Sequence, residues 1–281
     1  MKYICLTILL SALAFAQTGT SSAAPAGSAR SSSSVPVDQQ NQNKARALLN
    51  QMIQAIGGDA YLNIKDVTQE GRTYSFHLGR PTSAGLLFWR FYEYPDKDRI
   101  EFTKKRDVAE VFNGDNGGEI TYKGMHPMDA KDLADYDRRR QYALDLVLRK
   151  WLNEPGIALF DEGPAIADQK PTEQITLMNS RDQAVTIYVD TTTHFPVKKS
   201  FSWRDPTDKQ RNIEEESYDG YRAVAGIITP FVVTRYYNGD MSNQRFLTAV
   251  SYNKGLNDSM FSLASLPAPS TDKNAADAPN K

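Results

Sequence analysis

Residues 86–102, LLFWRFYEYPDKDRIEF, decide the fold class. The period is two. Leu87, Trp89 and Phe91 alternate with Phe88, Arg90 and Tyr92, and Tyr94-Pro95-Asp96 then turns the chain into Arg99-Ile100-Glu101-Phe102. This is the pattern of two antiparallel strands joined by a tight turn. A strand with one wet face alternates apolar with polar side chains. The first strand here carries large apolar groups on both sides, so both faces are covered. Residues 227–237 read alike, with Ile227, Phe231, Val233 and Tyr237 opposite Ile228, Val232 and Tyr236.

Outward from these strands the same period recurs. Tyr74, Phe76 and Leu78 alternate with Thr73, Ser75 and His77. Strands at 108–112 and 120–122 flank NGDNGG, whose glycines supply the positive φ a hairpin loop needs; the loop lacks the spaced carboxylates and closing Glu of a calcium-binding hand. Further strands are predicted at 174–178, 184–189, 197–203, 211–218, 227–237 and 244–252, with turns at Asp205-Pro206, Asp219-Gly220 and Asn238-Gly239-Asp240. Roughly ten or eleven strands result, at the spacing of a meander or barrel. Two helices interrupt them. The first, 44–56, has a stripe of Ala45, Leu48, Leu49, Met52, Ile53 and Ile56 and stops at Gly57-Gly58. The second is one long helix over 129–152, without internal Pro or Gly, stopped by Asn153-Glu154-Pro155-Gly156.

The ends read differently. Lys2, the apolar run 4–15 and Ala14-Phe15-Ala16 predict a cleaved signal peptide over 1–16. Residues 17–43, rich in Ser, Ala, Gly, Gln and Asn, form a disordered tether; 262–281 form a disordered tail; the folded domain is 44–261. Cys5 lies inside the apolar run and is not placed to be lipidated. The mature chain is expected to be periplasmic or secreted, without an integral membrane segment.

With 33 basic against 34 acidic residues, formal charge is -1, which excludes the global positive field that nucleic-acid binding uses. Three His and one Cys make a Zn or Fe–S centre hard to assemble, and no cofactor is expected. Candidate chemistry is thin. His77, His126 and His194 read as surface or turn residues, no G-x-S-x-G elbow occurs, and Asp137-Arg138-Arg139-Arg140 reads as a solvated helix face. Glu214-Glu215-Glu216 reads as a solvated strand edge, because neighbours on a strand point to opposite faces. No catalytic residues are expected.

With two helices to cover a wide sheet, an economical arrangement curves the sheet around an apolar cavity; a fully packed interior is the alternative. Several segments resemble the periplasmic lipoprotein-localisation factors of the LolA/LolB-like superfamily and related outer-membrane lipoprotein-sorting proteins. They are ALLNQMIQAIGG, EGRTYSF, RFYEYPDKDRIEF, EVFNGDNGGEITY, IYVDTTTHFPVKKSFSW, GIITPFVVTRYYNGD and LNDSMF, in that order. The resemblance implies a mainly β (α+β) fold, a half-open antiparallel β-barrel with a helical lid over a cavity that takes acyl chains. The function then expected is a non-catalytic carrier for a lipid or an acylated protein, without a cofactor, with an envelope protein-interaction or sensing module as the alternative and a lipid or glycan hydrolase behind both. The side chains expected to line the cavity are Tyr74, Phe76, Leu87, Trp89, Phe91, Phe201, Trp203, Phe231 and Val233.

Overall fold

The computed structural model describes residues 36–82 and 84–264. The predicted signal peptide, most of the tether and the tail beyond 264 lie outside the described residues. One antiparallel sheet dominates. Its first half is β1 (Asp66–His77), β2 (Arg80–Pro81), β3 (Leu86–Glu93), β4 (Lys97–Phe102), β5 (Val108–Asn113), β6 (Asn116–Thr121) and β7 (Gly124–Pro127). The second half is β8 (Ala158–Ala167), β9 (Lys170–Met178), β10 (Ala184–Asp190), β11 (Pro196–Arg204), β12 (Arg211–Val224), β13 (Ile227–Tyr237) and β14 (Asp240–Tyr252). Apart from β2, which pairs β1, the order is β7-β6-β5-β4-β3-β1-β14-β13-β12-β11-β10-β9-β8. Two meanders are thus joined where the first and last strands meet, and β7 and β8 end the sheet without pairing each other. At the join, a Cβ on Gly71 would lie 2.2 Å from the carbonyl oxygen of Phe246, so only glycine allows β1 and β14 to approach this closely.

The helices are α1 (Val37–Ala55), α2 (Asp59–Leu62), α3 (Ala130–Gln141) and α4 (Leu144–Arg149), with 3₁₀ turns at Trp151–Asn153 and Asp258–Phe261. The main core is one-sided. Leu49, Met52 and Ile53 of α1 and Val147, Leu148, Trp151 and Leu152 from α4 and the turn after it pack on Leu159, Ile175, Leu177, Val185, Ile187 and Val189 of β8–β10. A smaller cluster of Phe88, Phe231 and Leu247 lies on β3, β13 and β14.

The half-open β architecture with a helical lid is as expected, with differences in detail. Among the described residues fourteen strands stand where roughly ten or eleven are expected; of the three absent from the sequence reading, β2, β7 and β8, the last two are the sheet's edges, and both contain proline: Pro127 and Pro164. Proline is tolerated at an edge, where its missing N–H breaks no ladder. Asp219-Gly220 is no turn between strands. β12 runs through it with its register against β13 unbroken, and Gly220 stands at φ 63°. The long helix over 129–152 is broken. Ala143 is extended (ψ 138°), and the Tyr142 ring stacks on Phe201 with centroids 4.1 Å apart. Helix α1 begins at Val37, so residues 37–43, read above as tether, are helical. The reason is a tertiary contact: the Asn41 amide donates to the Asp161 carbonyl at 2.8 Å and accepts from the Asp161 N–H at 2.9 Å, imitating a neighbouring strand on the edge of β8. No helix among the described residues is long and apolar enough to cross a membrane.

Candidate functional site

Helix α3 buries none of its residues, whereas α1 buries Ala45, Leu49, Met52 and Ile53. Where α3 lies over the sheet the interior is accordingly unfilled, and a cavity of about 730 Å³ remains. Glu119 of β6 and Lys199 of β11 both line it, although their strands stand near opposite ends of the sheet order. The sheet must curl to bring them together. Tyr61, Ile64, Val67, Ile100, Phe112 and Leu144 supply apolar wall.

The remaining wall is charged, and the register explains how. Glu216 of β12 stands directly opposite Lys199 of β11 on one side and Arg235 of β13 on the other. Its carboxylate accepts from Arg235 Nε at 3.0 Å, Arg245 Nη2 at 3.4 Å and the Tyr218 hydroxyl at 2.9 Å, and lies 3.3 Å from Lys199 Nζ. Burial alone would raise this carboxyl, but Lys199, Arg235 and Arg245 together hold it well below the usual carboxylate range. Burial pushes the Lys199 ammonium down against the pull of Glu216. Burial, and then repulsion by Arg235, pushes Arg245 down to about 9.

A second buried pair faces this cluster. Asp98, with 0 % of its surface exposed, takes two bonds from Arg90 Nε at 2.9 and 3.1 Å and one from Arg90 Nη2 at 2.7 Å. The lid reaches it: the Tyr136 hydroxyl donates to Asp98 at 3.3 Å, and the Tyr136 ring stacks on Phe112 with centroids 3.5 Å apart. Burial, then the Asp98 charge, pushes the Tyr136 phenol up. Along α3, Arg138 donates to Glu214 and Asp135, both at 2.8 Å, and covers the Trp203 ring; Arg140 donates to the Pro95 carbonyl, the Tyr92 hydroxyl and Asp145. The lid is therefore docked by ionic and polar contacts. On the β5–β6 side, Glu110 stands opposite Glu119. Burial, then the charges of Glu119 and Asp98, pushes its carboxyl up to about 7.

Of the side chains expected to line the cavity, Phe201 and Val233 do. Trp203 shares their inward side on β11 but is capped by Arg138, and Phe231 belongs to the neighbouring apolar cluster. Leu87, Trp89 and Phe91 lie on the other face of β3: it is Arg90 and Tyr92 that meet the cavity, while Trp89 lies under the Arg106 guanidinium at 4.5 Å. Tyr74 packs edge-on against half-exposed Phe246, and Phe76 sits near the strand end opposite Pro81. The one-residue choice of face, undetermined when both faces are apolar, went to the set containing the arginine. Two bland readings are overturned. Residues 138–140 line the cavity, with Arg138 and Arg140 side chains only 17 % and 11 % exposed. Glu214 and Glu216 are interior positions of a central strand, while Glu215 alternates outward to Lys198. The legible signal was a charge on the inward side of several strands at once, Arg90, Lys199, Glu214, Glu216, Arg235 and Arg245.

No protein-family model matches the sequence, and no curated protein matches it. Solved structures match the fold. A DUF1329 family protein from Desulfovibrio piger superposes with a TM-score of 0.55 at 11 % identity, covering 79 % of this chain and 99 % of that one. A putative outer membrane lipoprotein-sorting protein domain from Vibrio parahaemolyticus gives 0.52 at 9 % identity, covering 79 % and 97 %. A LolA superfamily protein from Nitrosomonas europaea gives 0.47 at 11 % identity, covering 78 % and 97 %. The fold of this chain is the one shared by the DUF1329 protein and the lipoprotein-sorting domain.

Proposed function

We propose that this chain is a non-catalytic carrier, exported to the periplasm or beyond, that shelters the apolar part of an amphiphile such as a lipid or the acyl chain of a lipoprotein. The observation that carries the reading is the cavity of about 730 Å³ beneath a lid that does not fill it. Its size falls within the roughly 300–1,000 Å³ of ligand-binding sites. The fold, shared with a lipoprotein-sorting domain, supports the same reading. The wholly apolar hollow expected from sequence is replaced by a mixed one, so the guest has a polar end as well as an apolar one. Each methylene moved out of water contributes about 0.8 kcal/mol, and no chemical step is required of the protein.

The test is saturable uptake of a fluorescent fatty acid by delipidated protein, together with mass spectrometry of lipid that co-purifies. Val67 lies on the cavity wall in β1, and Val67→Trp fills the space without creating a void. Uptake is expected to weaken by roughly tenfold, the loss of about two buried methylenes, with the unfolding midpoint little changed. Absence of saturable uptake in the parent protein overturns the carrier reading and favours the alternative, strand addition at the β8 edge, where Ile166 is 81 % exposed.

A further inference from the structure

The N–H donors of the cations around Glu216 outnumber the acceptors available to them. A carboxylate offers about four lone-pair positions, and Arg235, Arg245, Tyr218 and Lys199 take them all. Each guanidinium carries five donors in a fixed fork. Arg235 commits only Nε to Glu216, and Arg245 only Nη2; Arg245 Nε is buried with no hydrogen-bond partner. Arg139, on the lid above them, has no side-chain hydrogen bond or ion pair among the described residues. Of the carboxylates whose charge it feels, Glu214 and Asp135 are both bonded to Arg138 instead, and Glu110 across the cavity makes no hydrogen bond to it. Arg139, Arg235 and Arg245 all line the cavity, and the first and last are each repelled by Arg235. Unpaired buried donors of like charge are unfavourable unless an anion completes them.

We infer that Arg139, Arg235 and Arg245 form an oxyanion subsite that receives the phosphate group of the carried molecule, with Lys199 and Glu216 holding the two strand arginines in place. Guanidinium forks match phosphate oxygens in pairs. Since two of the arginines come from adjacent strands and the third from α3, an anion bound there ties the lid to the sheet. The inference rests on the carrier reading and adds the chemical class of the guest's polar end.

The test titrates the delipidated full chain by calorimetry, at about 0.15 M salt so that exposed charges are screened, with three probes below their aggregation limits. They are monododecyl phosphate, monolauroylglycerol of the same chain length, and inorganic phosphate. Monododecyl phosphate is expected to bind tighter than the neutral amphiphile by roughly tenfold or more, as charge-assisted bonds to a desolvated anion allow. The ratio of the two affinities falls toward one in Arg139→Gln, a side chain whose removal orphans no partner, and in Arg245→Gln where that variant folds. Equal affinities in the parent protein overturn the subsite and leave the carrier reading standing. Binding of inorganic phosphate with neither amphiphile bound supports the subsite and overturns the carrier reading. If no probe binds, both fall.

Discussion

Two regions of the curled sheet, the β8–β10 margin and the strands around the cavity, meet their helices in opposite ways. On β8–β10, Ile175, Leu177 and Ile187 are completely buried against Leu49 and Met52 of α1, themselves completely buried. On the strands beneath α3, the inward positions instead carry Arg90, Asp98, Lys199, Glu216, Arg235 and Arg245, and the covering helix brings arginines and a tyrosine. The same antiparallel ladder thus supports a dry core or a hollow, and the covering helix decides which. An apolar stripe that reaches the sheet excludes water. A polar helix held by ion pairs leaves space, and the strand residues below it must then be charged in matching pairs.

Three substitutions sharpen or break that contrast. The largest effect belongs to Asp98→Ala. It leaves the Arg90 guanidinium and the Tyr136 hydroxyl without their acceptor, and is expected to cost about 3–5 kcal/mol in urea denaturation. A loss under about 1 kcal/mol would mean that water already solvates the pair, and the contrast between the two regions would fail. Leu49→Ala on the dry side is expected to cost about 3 kcal/mol through the void it leaves, with no effect on the affinity for monododecyl phosphate. A change in that affinity would show the two regions to be coupled.

The smallest effect is a pH dependence. In the folded chain the Glu110 carboxyl titrates near 7 against an ordinary value of 4.5, so between these values the native state binds more protons than the unfolded one. Its contribution to stability is full below about 4.5 and is lost as pH rises to about 7. Glu110→Gln is expected to flatten stability across that window and to be the more stable protein at about pH 8, by about 1–2 kcal/mol once partial exposure is discounted. A parallel pair of pH profiles would remove Glu110 from the account.

Strand positions and the α1 stripe were legible because period two and period 3.6 are local properties of the chain. The edge strands were not, since Pro127 and Pro164 demote any segment judged without knowing that it lies at an edge. The cavity wall was half legible. Residues 86–92 carry Leu87, Trp89 and Phe91 on one face and Phe88, Arg90 and Tyr92 on the other, and hydrophobicity favours the first set. The second faces inward because Asp98, a diagonal neighbour across the β3–β4 pairing, is there to meet Arg90. That pairing is a fact of register between strands. Likewise Glu216 looked solvated until Lys199 and Arg235 were placed on either side of it.

The segment between β7 and β8, which includes α3 and α4, runs from one margin of the open sheet to the other. A closed barrel has its girth locked by an unbroken ring of hydrogen bonds; here that ring is interrupted, and the interruption is spanned by covalent chain. Spreading the margins pulls on the same strap that roofs the chamber. Bore and roof therefore share one mechanical coordinate, and widening the one flexes the other as a clasp, with every rung of the ladder left intact.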